Sequence, residues 1–208
     1  MDTLIGVVPD TWTRCPLDAV CHVLPGPSGS RLTVLENAPD LVPVVQPKDL
    51  RDRRIALGAS ATTNKVADEL GGYRLRRGDV VCSRTGDLGR QALVAAEQAG
   101  WLIGSSCLRL RVRDAGVVSP AYLVQYLGHP AVNEWVRRNA TGSTVPSVNT
   151  ATMGALEVVL PPPDFQARVA EVLGALDDKV DVHRRIVETT AELHGAVLLS
   201  LLSWHPGP

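Results

Sequence analysis

Residues 161–204 read PPPDFQARVAEVLGALDDKVDVHRRIVETTAELHGAVLLSLLSW. After the three prolines, nearly forty residues follow without another proline, and only Gly174 and Gly195 interrupt a run of helix-compatible residues. This pattern predicts a proline-rich hinge at 161–165 and one long α-helix at 166–204. At about 1.5 Å per residue such a helix would be roughly 57 Å long, which exceeds the width of a small domain.

The apolar residues of this helix are spaced for contact with a second helix. When His183, Thr190 and His194 are included, the steps alternate between four and three residues, which is the spacing of a coiled-coil seam. A seam this long cannot be buried against its own globule alone, so we expect pairing with another chain or with a second copy of this one. The predicted seam comprises Val169, Leu173, Leu176, Val180, His183, Val187, Val197 and Leu201.

The sequence block from Leu160 into the helix carries a family resemblance. Leu-Pro-Pro-Pro at 160–163, Gln166, Ala-Leu-Asp-Asp-Lys-Val at 175–180 and Arg-Arg-Ile at 184–186 follow one another in this order. Together they resemble the spacer helix of type I restriction-modification DNA specificity subunits.

Three blocks upstream resemble other parts of the same family. Residues 73–86 are similar to its Leu-x-x-Gly-Asp block, residues 142–148 to its Gly-Ser-Thr loop, and residues 9–12 to its Pro-x-Gly-Trp start, with Thr11 where glycine is usual. The resemblance therefore covers almost the whole chain in the expected order.

This resemblance has consequences for fold and organisation. It implies an α+β protein: a compact, mixed target-recognition domain at 1–160 with a small curved sheet, the hinge at 161–165, and one long coiled-coil helix at 166–204 for spacing and dimerisation. Full-length members carry two recognition domains and two spacer helices. Because this chain has one of each, it resembles a half-subunit.

Composition places the chain among cytoplasmic globular proteins. Hydrophobic residues make up 45% and charged residues 21% of the sequence, and aromatic residues only 4%, so we expect an aliphatic core. No apolar run is long enough to cross a membrane, and the N-terminal residues lack the pattern of a signal peptide. Cys15, Cys21, Cys82 and Cys107 lack metal-type spacing and are expected to be buried, reduced residues.

The net charge of −1 hides an asymmetry along the chain. Residues 48–113 contain thirteen Lys or Arg against seven Asp or Glu, whereas residues 157–208 contain four against eight. A basic middle followed by an acidic tail is typical of a nucleic-acid-binding domain on a protein-binding stalk. A solvated surface of mixed charge explains the same numbers, and only the motif resemblance favours the first interpretation.

Local patterns predict the elements of the domain. Continuous apolar character predicts a strand at 80–83, and a further strand is expected at 91–96. Ser119 and Pro120 are the N-cap and first residue of a helix, and Pro130 starts another. The turn at Gly78-Asp79 is expected to be structural, with the Asp79 carboxylate accepting hydrogen bonds from nearby backbone N–H groups.

Basic and polar side chains in several segments are candidates for DNA contact. Arginine can bind phosphate or guanine with two parallel hydrogen bonds, and glycines beside it let the backbone approach a phosphate. The segment 48–65 is polar and poorly patterned, as is common for loops that recognise bases. The candidates are Lys48, Arg51, Arg53, Arg54, Asn64, Lys65, Arg84, Arg90, Arg109, Arg111, Ser143 and Thr144.

Arg109, Arg111 and Arg113 alternate with apolar residues and so share one face of a predicted strand. Three adjacent like charges repel one another unless anions lie opposite them. A DNA backbone would supply such anions, and so would Asp or Glu side chains on adjacent strands. The sequence leaves both alternatives open.

No catalytic arrangement is evident. The chain lacks the cofactor-binding glycine turn of an adenine methyltransferase and the nucleophile elbow of a hydrolase. Asp177-Asp178-Lys179 has the composition of a nuclease cluster, but its mid-helix position predicts a solvated face beside the seam. His183 and His194 are expected to set helix register rather than bind a metal. We therefore predict no catalytic residue, no metal and no cofactor.

Two functions remain. The first is a non-enzymatic DNA-recognition subunit of a phage-defence restriction system, bound to double-stranded DNA near the nucleoid. Its expected partners are an adenine-N6 DNA methyltransferase subunit, a second copy of this chain in a homodimer and, as an open alternative, a restriction or motor subunit. The second is a scaffold or decoy module of a related defence system that does not bind DNA productively.

Overall fold

The computed structural model describes residues 1–203, and the predicted helix end at Trp204 lies outside the described residues. The strands are β1 (Asp2–Thr3), β2 (Gly6–Val7), β3 (Thr13–Pro16), β4 (Cys21–Pro25), β5 (Leu35–Glu36), β6 (Val42–Val45), β7 (Leu50–Arg51), β8 (Arg54–Ile55), β9 (Ser60–Thr62), β10 (Val80–Ser83), β11 (Gln91–Leu93), β12 (Leu102–Ile103), β13 (Cys107–Val112) and β14 (Glu157–Leu160). The helices are α1 (Leu17–Val20), α2 (Asn64–Glu69), α3 (Pro120–Leu127), α4 (Pro130–Arg138), α5 (Thr150–Gly154) and α6 (Pro163–Leu202).

The central sheet is antiparallel, with the strand order β11-β10-β13-β4. It is covered on both faces. Val80 and Leu108 belong to the main core with α3 and α4, while Val81 and Cys107 face a second core. Burial on both sides explains why β10 is continuously apolar, and the prediction of a buried strand at 80–83 is confirmed.

A second four-stranded sheet has the order β12-β6-β9-β5, in which only β12 and β6 run parallel. Helix α2 packs beside it, and Ala67 and Leu70 join Val44 and Leu102 in a third small core. The α+β class is therefore confirmed, although the chain has two four-stranded sheets where we expected one small sheet. The predicted strand at 91–96 is shorter, because a 3₁₀ turn occupies Ala96–Gln98.

Helices α3 and α4 begin where their caps predict. The Ser119 side chain accepts a hydrogen bond from the Tyr122 N–H, and Pro120 and Pro130 occupy the first helical positions. The hydroxyl groups of Tyr122 and Tyr126 donate to the carbonyl oxygens of Val159 and Glu157. These bonds attach α3 to β14, the strand that leads into the long helix.

The long helix α6 begins at Pro163, three residues before the predicted start, because Pro163 fits the first turn of a helix. Gln166, only 2% exposed, fixes its base. The Gln166 side chain accepts a hydrogen bond from the Ser119 N–H at 2.9 Å and donates to the carbonyl oxygens of Val117 and Pro161. The junction is therefore an ordered contact, with only Pro161 and Pro162 ahead of the helix.

Three of the four cysteines, Cys21, Cys82 and Cys107, are buried as expected, and Cys15 is half-buried. Burial raises the pKa of the Cys21 thiol to about 12. Such thiols stay protonated at neutral pH and behave as small apolar side chains.

None of the helices within residues 1–203 is both long and apolar enough to cross a membrane.

Candidate nucleic-acid interface

Two loops that are distant in sequence lie side by side at one end of the central sheet. The first, residues 84–90, follows β10, and the second, residues 141–147, follows α4. The Gly86 N–H donates to the Pro146 carbonyl at 3.0 Å, and the Val148 N–H donates to the Arg84 carbonyl at 2.9 Å. We call this pair of segments the paired loops. They bring four predicted DNA-binding residues to one end of the domain: Arg84, Arg90, Ser143 and Thr144.

The second of the paired loops is a closed, projecting hairpin. Two reciprocal backbone hydrogen bonds join Thr141 and Ser147, and all five residues between them are exposed. Gly142 has a φ of +95°, and a Cβ atom there would lie 2.6 Å from the Val145 carbonyl oxygen. Glycine is therefore required at this position, and the loop presents the hydroxyl groups of Ser143 and Thr144 to solvent.

The two arginines of the first loop differ in their contacts. The Arg90 Nε donates to Asp87 at 2.6 Å, which offsets part of its charge. Arg84 has no carboxylate partner within the part of the chain that the structure describes, and its Nε is buried without a hydrogen-bond partner there. Because Arg84 as a whole is only half-buried and its charge has no carboxylate partner within residues 1–203, the rest of its guanidinium group can bind an anion.

The β7–β8 hairpin directs two other candidates toward the long helix. Its turn residues, Asp52 and Arg53, have left-handed φ values of 45° and 63°. Arg53 forms a two-pronged ion pair with Asp177, and Arg54 pairs with Asp178. In the third pair the charges are reversed: Asp52 of the hairpin pairs with Arg184 of the helix. We call these three ion pairs the hairpin clamp.

The hairpin clamp corrects the prediction of a solvated face at Asp177, whereas Asp178 and Lys179 are exposed. Asp177 is not solvated: it is 5% exposed and also accepts a hydrogen bond from the Gln125 amide at 2.7 Å. Burial raises the pKa of the Asp177 carboxyl, but the hydrogen bonds from Arg53 and Gln125 and the charges of Arg53 and Arg54 lower it more. Its pKa therefore lies below the ordinary value, and the same hydrogen bond raises the pKa of Arg53.

Arg109 and Arg111 of the predicted row bind acceptors within the domain itself. Arg111 donates two hydrogen bonds of 2.7 Å to Asp79, at the start of the adjacent strand β10. Arg109 is 7% exposed and donates to the carbonyl oxygens of Gly72 and Arg74. The geometry thus realises the alternative of an acidic neighbour for Arg111, and the Asp79 side chain also accepts from the Arg76 N–H, as its turn predicts.

This arginine row also lies away from the paired loops. Because β10 and β13 are antiparallel, Arg111 lies near the start of β10, whereas Arg84 follows its end. Burial and the charge of Arg111 lower the pKa of the Arg109 guanidinium. The structure therefore does not bring Arg109 and Arg111 together with Arg84 and Arg90.

The remaining candidates lie on two different elements. Asn64 and Lys65 are exposed at the start of α2, beside the second sheet, where Asn64 donates to the Asp40 carbonyl. Lys48 and Arg51 flank the start of the hairpin, and the Arg51 Nε donates to the Lys48 carbonyl at 3.3 Å. Neither Lys48 nor Arg51 has a carboxylate partner within residues 1–203.

An open polar groove of about 570 Å³ lies where the hairpin, the first paired loop, α4 and the long helix meet. We call it the junction groove. Sequence reasoning missed two of its residues, Asn133 and Arg184, because a groove between four elements leaves no local pattern. Its lining residues are Leu50, Arg51, Asp52, Arg53, Gly89, Arg90, Gln91, Gly128, Asn133 and Arg184.

The predicted seam forms an exposed face along α6. Its first residue, Val169, packs against the main core. The other apolar members, from Leu173 to Leu201, are between 38% and 69% exposed, and His183 is also exposed. Leu176 directly precedes Asp177, so the two side chains point about 100° apart around the helix. Val180 of the seam is three residues after Asp177 and four before Arg184, so the clamp borders the seam along one side of the helix. Residues 1–203 contain no cluster of three potential metal ligands.

Comparison with known proteins defines the class to which this fold and these loops belong. Residues 9–189 match the model of the type I restriction modification DNA specificity domain. The chain belongs to this family.

Two curated relatives come from Methanocaldococcus jannaschii. The type I restriction enzyme MjaIX specificity subunit is 25% identical over 183 residues, which cover 86% of this chain and 41% of the relative. The putative MjaX specificity subunit is 23% identical over 194 residues, covering 89% and 44%. The chain thus spans less than half the length of the curated relatives it matches.

Solved structures share the fold. The S subunit of a type I restriction-modification system from M. genitalium has a TM-score of 0.66 at 14% identity, over 94% of this chain and 47% of that one. A chain from a structure of a type I restriction-modification system has a TM-score of 0.62 at 23% identity, and the match covers 92% of this chain and 45% of that one. The HsdS subunit from Thermoanaerobacter tengcongensis has a TM-score of 0.58 at 19% identity, and the match covers 87% of this chain and 41% of that one.

Proposed function

We propose that this chain is a non-catalytic DNA-recognition unit of a type I restriction-modification system. The observation that carries the proposal is the convergence of the paired loops. Segments from two family-type blocks, separated by more than fifty residues in sequence, form one surface that includes Arg84, which has no carboxylate partner within residues 1–203. Such a surface is suited to DNA, because guanidinium and hydroxyl groups bind phosphates and base edges.

Within this proposal the paired loops are the principal DNA contact. Arg84, Ser143 and Thr144 bind the site, with Arg90 tuned by Asp87, while Lys48 and Arg51 add basic charge near the hairpin. Asn64 and Lys65 extend the surface only if DNA also reaches the second sheet. Arg53 and Arg54 attach the hairpin to the long helix, and Arg109 and Arg111 hold segments of the domain together, since these side chains already bind protein acceptors.

The long helix pairs with a second copy of this chain. The exposed seam supports this step, because burial of a continuous apolar stripe is the main driving force for coiled-coil association. An antiparallel pair of identical helices would present two recognition domains related by a twofold axis. The pair would recruit an adenine-N6 methyltransferase, and a restriction or motor subunit where the system cleaves DNA, to a bipartite palindrome.

The test is binding of the purified chain, alone and with the methyltransferase encoded beside it, to a pool of random duplexes. Enrichment of one bipartite motif is the expected result. Co-purification with the methyltransferase but no enrichment of any DNA would contradict DNA recognition and favour a scaffold or decoy role.

A further inference from the structure

The junction groove has the composition of a phosphate site. Its lining is mainly polar and includes four arginines from the hairpin, the first paired loop and the long helix, but only one carboxylate, that of Asp52. Guanidinium groups bind phosphate oxygens with parallel, charge-assisted hydrogen bonds, and an amide side chain adds a neutral donor. Asn133 of α4 supplies such an amide at the groove wall.

The arginines of the groove divide into two pairs. Arg53 and Arg184 are occupied by Asp177 and Asp52 in the hairpin clamp. Arg51 has no carboxylate partner within the described chain, and Arg90 is held only by the exposed Asp87. One additional anion in the groove would therefore find Arg51 and Arg90 available, with the clamp immediately behind it.

The glycine at the groove wall keeps the loop backbone close to α4. Gly89 has a φ of +95°, and a Cβ atom there would lie 3.0 Å from the Asn133 Oδ1 and 3.2 Å from an Arg137 guanidinium nitrogen. Arg137 is exposed and lies beside the groove, which adds to the positive charge there. The glycine thus leaves room for Asn133 and Arg137 at the entrance.

We propose that the junction groove binds a backbone phosphate of DNA, held by Arg51, Arg90 and Asn133 and shared with Arg184 of the long helix. DNA bound at the paired loops then also fixes the helix against the domain, which sets the direction of the spacer. The choice of DNA as the phosphate source rests on the proposed function. The inference that the groove binds phosphate does not depend on the proposed function.

The first arm of the experiment uses inorganic phosphate and the full chain. Amide resonances of Gly89 and Gly128 are followed by NMR during a phosphate titration at constant ionic strength, with chloride as the reference anion. We expect both resonances to shift in a saturable manner and Asn133→Ala to weaken the effect several-fold. Absence of saturable shifts in the wild-type chain would overturn the phosphate site.

The second arm uses duplex DNA and measures affinity against salt. Arg51→Ala should lower the slope of log K against log salt by about 0.9, the value for one phosphate contact. Arg138→Ala is the matched control, because Arg138 is exposed on the same helix as Asn133 and pairs with Glu134. Its slope should equal that of the wild type.

The two arms separate the possible failures. If phosphate shifts the resonances but Arg51→Ala and wild type have the same DNA slope, the groove binds free phosphate, and the DNA assignment is overturned. If the wild-type chain and its complex bind no DNA, the proposed function fails, and the phosphate arm alone decides the chemistry of the groove. Slower hydrogen exchange in helix residues 174–184 on adding DNA, lost in Arg51→Ala, would support the coupling to the helix.

Discussion

Arg53 and Asp177, separated by 124 residues in sequence, form a two-pronged ion pair that binds the recognition domain to the long helix. The Asp177 carboxylate also accepts from Gln125 of α3, so two elements of the domain hold one helical side chain. The helix therefore leaves the domain in a defined direction. Two domains on a pair of such helices would be held at a fixed separation.

Replacing Asp177 by alanine should loosen this contact. Removal of one partner leaves Arg53 without its acceptor, and since Arg53 is about one-third exposed, we expect a loss of about 1–3 kcal/mol. Thermal unfolding and hydrogen exchange of α6 measure this loss of stability. Asp181→Ala is the matched control, because within residues 1–203 Asp181 forms an ion pair only with Arg185 of the same helix; its loss should cost about 0.5 kcal/mol. Equal losses in the two variants would contradict a special role for Asp177.

The same ion pair predicts an acid-sensitive helix contact. The folded-state pKa of Asp177 lies below its ordinary value of about 3.9, so its contribution to stability is complete above that pH. The contribution is lost as the pH falls through the folded-state pKa. Hydrogen exchange of residues 174–184 should therefore accelerate more steeply in acid for the wild type than for Asp177→Asn. Identical acid profiles in the two proteins would contradict a stabilising role of the ionised Asp177 carboxylate.

The apolar seam predicts the oligomeric state. Val180→Asp combined with Val187→Asp should convert the proposed dimer into a 22.2 kDa monomer, since it places charges into the proposed helix interface. Light scattering at tens of micromolar measures the mass. Val182→Asp with Thr189→Asp is the control, because both residues are exposed and each lies about 160° around the helix from the seam valine two residues before it. A monomeric wild-type chain that stays unpaired in the methyltransferase complex would exclude the seam as an interface.

Local sequence patterns were sufficient to predict much of the fold. The proline-free run predicts α6, and Ser119 with Pro120 predicts the start of α3, because capping and periodicity act within a few residues. The family resemblance, given for residues 73–86 and 142–148, also pointed to parts of the two paired loops.

Contacts between distant segments could not be predicted in this way. Alternation along β13 places Arg109 and Arg111 on one face, but only the register with β10 reveals that Asp79 lies opposite Arg111. Asp177 has the sequence pattern of a solvated helix surface, and its burial depends on the hairpin that folds over it. Ion pairs across such sequence distances leave no periodic signal, so in sequence the basic residues that bind protein resemble those we propose to bind DNA.

Arg84 should be the most sensitive single residue of the paired loops. Arg84→Ala should weaken DNA binding and lower the salt slope by about 0.9 if the guanidinium contacts one phosphate. Fluorescence anisotropy at several salt concentrations, with the methyltransferase present, provides both quantities. Arg138→Ala again serves as the control for a lost surface charge. Unchanged affinity and slope in Arg84→Ala would assign the first loop a structural role only.

The final prediction concerns the modified site in a cell that carries only this chain and its methyltransferase. The chain alone should neither methylate nor cleave DNA, whether S-adenosylmethionine, ATP or magnesium is added, because we assign no side chain a catalytic role. With the methyltransferase present, sequencing of modified bases should show adenine methylation at one bipartite motif. A complex in which Arg84 and Ser143 are both replaced by alanine is the control and should lose that motif.

The symmetry of the motif tests the homodimer directly. Two identical domains related by a twofold axis must contact identical half-sites on opposite strands, so the motif should be an interrupted palindrome. The spacer between its halves should have no preferred sequence, since the paired helices bridge it without base contacts. A motif with two different halves would require a second, different recognition domain in the complex. In that case the seam on α6 would bind an unlike helix, and the homodimer would have to be abandoned.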